Sequence, residues 1–557
     1  MQKLFFIFFS FSVLSVSAQW NPNTSMNTPI AVQSGKQNDA RILEDVGGGA
    51  FIAWKDARAG NLNPDIYIQR VDALGNMLWQ LNGIPLCNDS TDQSTPNIIS
   101  DLAGGAIVTW SDRRNNGERD VYAQRISPSG SVIWTNNGAP VATKPMREHN
   151  EKIVSDDAGG AIIVWEQFDT ISFLWDVWAQ RINSSGTIMW QQGGIPLAVA
   201  SSNKLNPKIQ KDKKGGAIIT WQDFRNGTDY DIYAQRINAN GVRLWGSNGL
   251  AVTNINGPQM NPKIDPDSVS GGVYIAWQDA RNGMDYDIYC QRLDSNGTAF
   301  WTANGVAACS AVFNQSAVDI LSNSQTNGLI LTWKDSRSGN EDIYAQKITS
   351  SGNPAWMVNG QIIATSPYAQ INPNICSDGS NGAIITWQDS TVNDWDVYAQ
   401  KINGIGQIQW PANGVVVSDA IEIQSHPKNI PDGNGGSIFV WQDKRSGFYD
   451  IYCHHIYFDG TNVGINQDAK QEQATNAFPN PFQDELHLDL NFSAAEEIAI
   501  EFFQSDGRKL NVKGTGNFYL QSGEQQIKIS TAHLPGGVYF LKVRSHKAEK
   551  TIRVVKQ

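Results

Sequence analysis

Gly215-Gly216-Ala217-Ile218-Ile219-Thr220-Trp221-Gln222-Asp223, then Arg225-Asn226-Gly227, then Asp231-Ile232-Tyr233-Ala234-Gln235-Arg236-Ile237-Asn238, is the stretch on which the fold turns. The phrase recurs along the chain. Its tryptophan returns as Trp54, Trp110, Trp165, Trp221, Trp277, Trp333, Trp387 and Trp441, at intervals of 56, 55, 56, 56, 56, 54 and 54 residues. Repetition at so steady a period marks a repeat architecture and changes what each local motif means.

Each copy holds four strand-like runs. In the fourth they are Pro207–Gln210, Ala217–Gln222, Asp231–Asn238 and Val242–Trp245 continuing towards Val252. The runs are β-branched and aromatic, bounded by turns such as Asn226-Gly227 and Asn240-Gly241. Ala217–Trp221 is apolar on both alternating faces, which fits a sheet pressed between two others and not a sheet with one wet face. Four strands per repeat predict an all-β fold, a β-propeller of eight four-stranded blades. The last copy stops after its third strand, and the missing piece lies near the other end. Trp20 and Thr28–Val32 match Trp190 and Gly194–Ala198. Pairing that fragment with the last blade removes an exposed edge.

The ends and the composition set the compartment. Lys3, the apolar run Leu4–Leu14 and Val16-Ser17-Ala18 read as a signal peptide over residues 1–18. That run is shorter than the roughly 20 residues a bilayer needs, and no other stretch is apolar enough to span one. A formal charge of −11 argues against a nucleic-acid partner. Five cysteines, with no CxxC or zinc-type spacing, read as small buried residues at repeat positions. The expected organisation is a propeller over 19–462, a polar linker over 463–475 and a C-terminal β-sandwich over 476–557.

The Trp-x-Asp-x-Arg-x-Gly phrase with its following Asp-Ile-Tyr resembles the propeller repeats of microbial cell-surface proteins, a likeness specific for fold and nearly silent on function. Residues 476–557 carry Phe478-Pro479-Asn480-Pro481-Phe482, Ser505-Asp506-Gly507-Arg508 and Leu534-Pro535-Gly536-Gly537-Val538-Tyr539. They resemble the type A C-terminal sorting domain of the type IX secretion system of Bacteroidota. That resemblance implies the type IX machinery as a partner, passage across the outer membrane, and a protein attached to the surface or released.

Catalysis breaks symmetry, whereas scaffold residues repeat. The turn pairs Asp56/Arg58, Asp112/Arg114, Asp223/Arg225, Asp279/Arg281, Asp335/Arg337 and Asp443/Arg445 recur in six copies and read as structural, Asp ordering the turn and Arg pairing with it. No cofactor is expected. The Asp before Ile-Tyr (Asp231, Asp287, Asp342) raises calcium but lacks the dense oxygen spacing of a calcium loop. The third copy departs most: its turn has no Arg, and Trp178 replaces Tyr. Glu166, Asp169, Trp175 and Trp178 are therefore the candidate ligand-binding residues, two carboxylates and two indoles of the kind that suit a carbohydrate. His149, His426 and His454-His455 lack zinc spacing, and no serine elbow, phosphate loop or HExxH is present. The favoured function is a non-catalytic binding or surface-structural module for a glycan or protein, and the alternative is a polysaccharide-acting hydrolase or lyase.

Overall fold

The computed structural model describes residues 20–462 and 476–556, save 61, 116, 324–327, 392–393, 480–481, 493–494, 505–507, 522 and 546–548. The expected signal peptide and linker lie outside those residues. Every regular element is a β-strand. The chain divides into two compact units, one up to residue 464 and one from residue 465.

The first unit contains eight four-stranded antiparallel sheets. In blade 4 the order from the axis outward is Lys204–Lys211, Ala217–Asp223, Asp231–Ile237 and Leu250–Thr253. Innermost strands contact their neighbours all the way round, the last (Gln424–Pro431) meeting the first (Gln37–Glu44), so the ring is closed. The second strand of each blade is covered on both faces: all seven residues of Ala217–Asp223 are buried. Each blade's central Trp is wholly buried. In the first seven blades its ring edge lies against a glycine that opens the outer strand, and in blade 8 Asn27 precedes that strand. At Gly83, with φ +78°, a Cβ would come within 2.3 Å of Trp54, so no larger residue fits there.

Blade 8 takes its fourth strand from the other end of the sequence. Thr28–Ala31 pairs antiparallel with Asp450–Ile456, Thr28 opposite Cys453 and Ala31 opposite Ile451. One sequence expectation needs correcting. Residues 242–245 form no strand; a single bridge joins Ile237 to Arg243, and the outer strand begins at Leu250. The segment turns away so that its tryptophan can dock on the next blade. Trp245 docks without such a bond, but other indoles at this position donate to a carbonyl of the following hairpin: Trp134 to Ser184 (3.0 Å), Trp301 to Ser350 (3.0 Å) and Trp410 to Phe458 (3.2 Å). Trp20, wholly buried, does the same to Ala73 of blade 1 at 2.9 Å. The N-terminal fragment thus supplies both a strand to blade 8 and a latch to blade 1.

Each inner strand carries a bulge near its start, with one residue in the left-handed region: Asp39, Thr95, Asn150, Asn206, Asn261, Ala317, Asn372 and His426, φ 52–57°. Bulges re-aim side chains at barrel rims. Here they ring one mouth of the central channel. All five cysteines are free and buried.

The second unit is a sandwich of two antiparallel sheets. One holds Asn476–Phe478, Glu485–Phe492 and Gly523–Ser530; the other is built on Glu496–Gln504, Gly537–Ser545 and Glu549–Lys556. They share a core of Phe482, Leu488, Ile500, Phe502, Leu541 and Val554.

Candidate functional site at the mouth of the central channel

The repeated turn is a closed hydrogen-bond unit. Asp56 accepts from the Trp54 indole at 2.7 Å, from the Arg58 backbone N–H at 2.9 Å and from the Arg58 guanidinium through two nitrogens. The guanidinium lies over Tyr67, its central carbon 3.9 Å from the ring centre. The same unit joins Asp112 to Arg114, Asp223 to Arg225, Asp279 to Arg281, Asp335 to Arg337 and Asp443 to Arg445.

Beyond pairing with its turn Asp, the guanidinium also reaches the outer edge of the blade. Arg281 stacks on Tyr289, 3.7 Å from the ring centre, and donates to the Asn304 carbonyl at 2.8 Å, just before the outer strand. Arg445 has no such carbonyl in its own repeat, since blade 8 borrows its outer strand. It donates instead to the carbonyls of Ser25 (2.9 Å) and Met26 (2.7 Å) and to Asn27 Oδ1 (2.9 Å). The turn arginine of blade 8 therefore clasps the N-terminal fragment.

Burial pushes the Asp223 carboxyl up, but the hydrogen bonds from Arg225, Trp221 and Ser202 outweigh it and hold it below the usual range. Asp231 stands opposite Asp223 in register. Burial, with Asp229 and Asp223 beside it, raises its carboxyl to about 7. Asp287 rises to about 6 for the same reasons. Asp231 takes a hydrogen bond from Asn226 and Asp342 one from Ser338. Among the described residues no group of three or more His, Cys, Asp or Glu is placed to hold a metal ion.

Blade 3 departs from this unit in a definite way. Six blades set a Gln on the inner strand opposite the Asp, as with Gln37 and Asp56 or Gln259 and Asp279. Blade 3 sets Glu148 opposite Gln167, so acid and amide have changed places. The Trp165 and Trp178 indole nitrogens, Gln167 Oε1 and both Glu148 oxygens are left buried without a well-formed partner. Burial, with Asp120 nearby, raises the Glu148 carboxyl to about 8. The cation over Trp178 is Lys144, 3.6 Å from the ring centre. In blade 4 the same inner position is Lys204, wholly buried, whose Nζ meets Asp176 of blade 3 at 2.6 Å.

The four candidate residues do not form one cluster. Glu166 occupies the middle position of Trp-x-Asp and accepts from Asn150 Nδ2 and the Asn206 backbone N–H, both at 2.7 Å. In the next blade Gln222 has the same role, with Asn206 and Asn261. Trp175 packs on His149 (ring centres 4.6 Å apart) and Phe168 (5.0 Å). It holds the place of Tyr230, which packs on Phe224 in the same manner. Asp169 is turned back on its own loop, accepting from Ile171 N and Ser172 Oγ at 2.8 Å each. Trp178 packs on the core shared by blades 2 and 3. Glu166, His149 and Trp175 therefore come together, while Asp169 and Trp178 stand apart.

The first two lie on a pocket of about 780 Å³ at the channel mouth, on the face where inner strands begin and second strands end. Lys55, Arg113, Arg119 and Arg147 line it as well. The carboxylate of Asp92 draws three of these cations: Arg119 at 3.0 Å, Lys55 at 3.4 Å and Arg113 at 3.6 Å. Burial and then the charges of Arg147, Arg119 and Lys152 lower His149 to about 4, so its imidazole is neutral beside Glu166, 3.6 Å away. Sequence reading missed the arginines because it searched for acids and indoles. The signal was present: Arg113 stands where other copies have Ala57, Phe224 or Ala280, and Arg119 where they have Tyr230 or Tyr286. Across the rim, His426 and Lys428 border a smaller pocket of about 370 Å³.

Residues 476–557 match the family described as the secretion system C-terminal sorting domain. The C-terminal unit is a type IX sorting domain. The sorting domain makes this an exported protein, placed at the cell surface or outside the cell. No curated protein matches the chain. Solved structures similar to it include a protein of unknown function from Dyadobacter fermentans DSM 18053 (10% identity, 77% of this chain and 96% of that chain, TM-score 0.35). The Dos1 propeller is 9% identical over 73% of this chain and 90% of that chain, TM-score 0.39. The Penicillium chrysogenum α-L-arabinanase complexed with arabinobiose is 13% identical over 52% of this chain and 89% of that chain, TM-score 0.30.

Proposed function

We propose that the propeller is a non-catalytic binding module displayed outside the cell, and that it holds an anionic glycan at the mouth of its central channel. The observation that carries this reading is the gathering of Lys55, Arg113, Arg119 and Arg147 around one 780 Å³ pocket in a chain of net charge −11. The cations outnumber the two carboxylates of the lining, Asp39 and Glu166, and a concave site with such an excess of positive charge focuses its field and draws anionic ligands. Arginine forks suit the planar carboxylates and the sulfates of acidic sugars. Trp175 packs behind His149 and backs the imidazole that lines the pocket. The non-catalytic half of the reading is supported by the state of the acids. Glu166 is committed to Asn150 and Asn206, and Asp169 caps its own turn. Acid–base work on a glycoside needs two carboxyls flanking the bond, with pKa values pushed apart.

The test is calorimetric titration of the mature protein with uronate-rich, sulfated and neutral oligosaccharides, alongside an assay for released reducing ends. Acidic ligands are expected to bind and neutral ones not. Arg113→Ala with Arg147→Ala is expected to weaken binding at least about tenfold, since hydrogen bonds to charged groups contribute about 1.5–3 kcal/mol each. Equal affinity for neutral sugars overturns the charge reading. Hydrolysis abolished by Glu166→Gln overturns the non-catalytic one.

A further inference from the structure

Two residues beyond each bulge, every inner strand turns one side chain towards the channel axis. Register with the second strand fixes the eight equivalents as Arg41, Asn97, Lys152, Lys208, Lys263, Asp319, Asn374 and Lys428. Five are cations and one is an acid. A cavity of about 230 Å³ is bordered by Arg41, Asn97, Lys152, Lys208 and Lys263. That space is several times the roughly 30 Å³ that a water molecule claims in the liquid.

The acid hydrogen-bonds one cation, and its charge also reaches Lys428. Asp319 accepts from Lys263 Nζ at 3.0 Å and from Asn374 Nδ2 at 2.6 Å. Arg41, Lys152, Lys208 and Lys428 make no ion pair among the described residues. The donors of the first three reach neutral oxygens close by: Arg41 to the Ala40 carbonyl at 3.0 Å, Lys152 to Asn150 Oδ1 at 2.9 Å, Lys208 to the Pro207 carbonyl at a long 3.3 Å. The acids nearest this ring are engaged elsewhere, Glu151 by the hydroxyls of Thr95 and Ser111, and Glu166 by Asn150 and Asn206. Like charges converging in a narrow, partly dehydrated channel repel, and the side chains register it. Burial lowers Lys152 to about 8, Lys208 to about 7 and Lys428 to about 8; neighbouring cations add to it, while Glu151 opposes it at Lys152 and Asp319 at Lys428.

We propose that the channel is an anion site distinct from the mouth pocket, built to seat one tetrahedral oxyanion, phosphate or sulfate, among Arg41, Lys152 and Lys208, which border one cavity. The group arrives as the free ion or as the ester at the end of a longer chain entering from the mouth. A multivalent anion on the axis satisfies several donors together and replaces mutual repulsion with attraction, which no monovalent counter-ion does as well. The inference stands independently of the glycan reading, because none of these three residues lines the 780 Å³ mouth pocket.

Thermal unfolding and calorimetry of the mature protein at matched ionic strength in chloride, inorganic phosphate or inorganic sulfate test it, with a sulfated oligosaccharide as a further arm. The oxyanions are expected to raise the melting temperature by a few degrees in a saturable manner, relative to chloride. Lys152→Gln with Lys208→Gln is expected to melt higher than the parent in chloride and to lose the response. Arg113→Ala with Arg147→Ala is expected to keep it. Asp319→Asn, a second variant that adds no bulk, is expected to tighten oxyanion binding. A response to the sulfated oligosaccharide alone, lost in the double lysine variant, assigns the group to an ester. The proposal fails if no oxyanion arm differs from chloride, or if the double lysine variant responds as the parent does.

Discussion

The exchange of acid and amide in blade 3 makes a quantitative prediction about pH. Glu148 is wholly buried and has no well-formed hydrogen-bond partner, and its carboxyl is raised from 4.5 to about 8. The folded protein therefore prefers the neutral acid more than the unfolded chain does. By linkage, the stability this group contributes is complete below about pH 4.5, is lost as pH rises towards 8, and is constant beyond. At about 1.4 kcal/mol per tenfold difference in acidity, the displacement sets a ceiling of about 4–5 kcal/mol. Local relaxation around the charged form brings the expected effect to about 2–3 kcal/mol. Glu148→Gln keeps the shape, restores the residue found at six equivalent positions, and removes the titration. Urea unfolding of both proteins at pH 5, 7 and 8.5 measures it, the difference between them cancelling the other titrating groups. The variant is expected to match the parent at pH 5 and to exceed it by about 2–3 kcal/mol at pH 8.5. Two stability profiles that stay parallel within about 0.5 kcal/mol across that range refute the assignment of a neutral Glu148.

Trp20→Ala removes a wholly buried indole and its bond to Ala73, and is expected to cost about 3–5 kcal/mol in urea unfolding; a loss below about 1 kcal/mol contradicts closure through this residue. Asp223→Ala strands the Trp221 indole and the Arg225 guanidinium, so a loss of about 1–3 kcal/mol is expected, with glycan affinity unchanged by calorimetry. Chains lacking 476–557 are expected to keep the propeller's circular dichroism and melting profile and to accumulate in the periplasm; surface display at parental levels, measured on intact cells, contradicts that role for the sorting domain.

The fold was legible because the repeat wrote it eight times. Trp221 and its seven counterparts set the period, and the fragment at Trp20 and Thr28–Val32 announced the closure. The outer strand was misplaced because Val242–Trp245 has strand composition, yet its tryptophan is spent on the following blade, a contact that one copy read alone does not reveal. Arg445 looked like its five counterparts for a similar reason: its second set of partners lies more than 400 residues away in sequence. The candidate site was legible only in part. Searching for what does not repeat led to blade 3, and Glu166 does reach the mouth. Trp175 and Trp178 looked special because the third copy departs from the repeat around them, whereas Trp175 fills an aromatic position also held by Tyr230, and Trp178 sits inside an interface. The cations of the channel were visible as Asn206-Pro207-Lys208, Asn261-Pro262-Lys263 and His426-Pro427-Lys428. What hid their meaning is that convergence on an axis belongs to the ring and to no single repeat.

The strand that completes blade 8 also bears on the order of events during biogenesis. Thr28 leaves the ribosome among the first propeller residues, and its partner Cys453 among the last. Seven blades can be assembled as they emerge, each from contiguous sequence, but the eighth waits for a segment made long before. Bringing such distant segments together costs on the order of 5 kcal/mol in chain entropy, and pairings of this range are slow. Until it happens, Asp450–Ile456 offers an unpaired edge and Trp20 has no hairpin to grip. A chain cut short anywhere before blade 8 is left as an open arc with a sticky rim, recognisable to a protease, so that completeness of synthesis is read out as resistance to digestion.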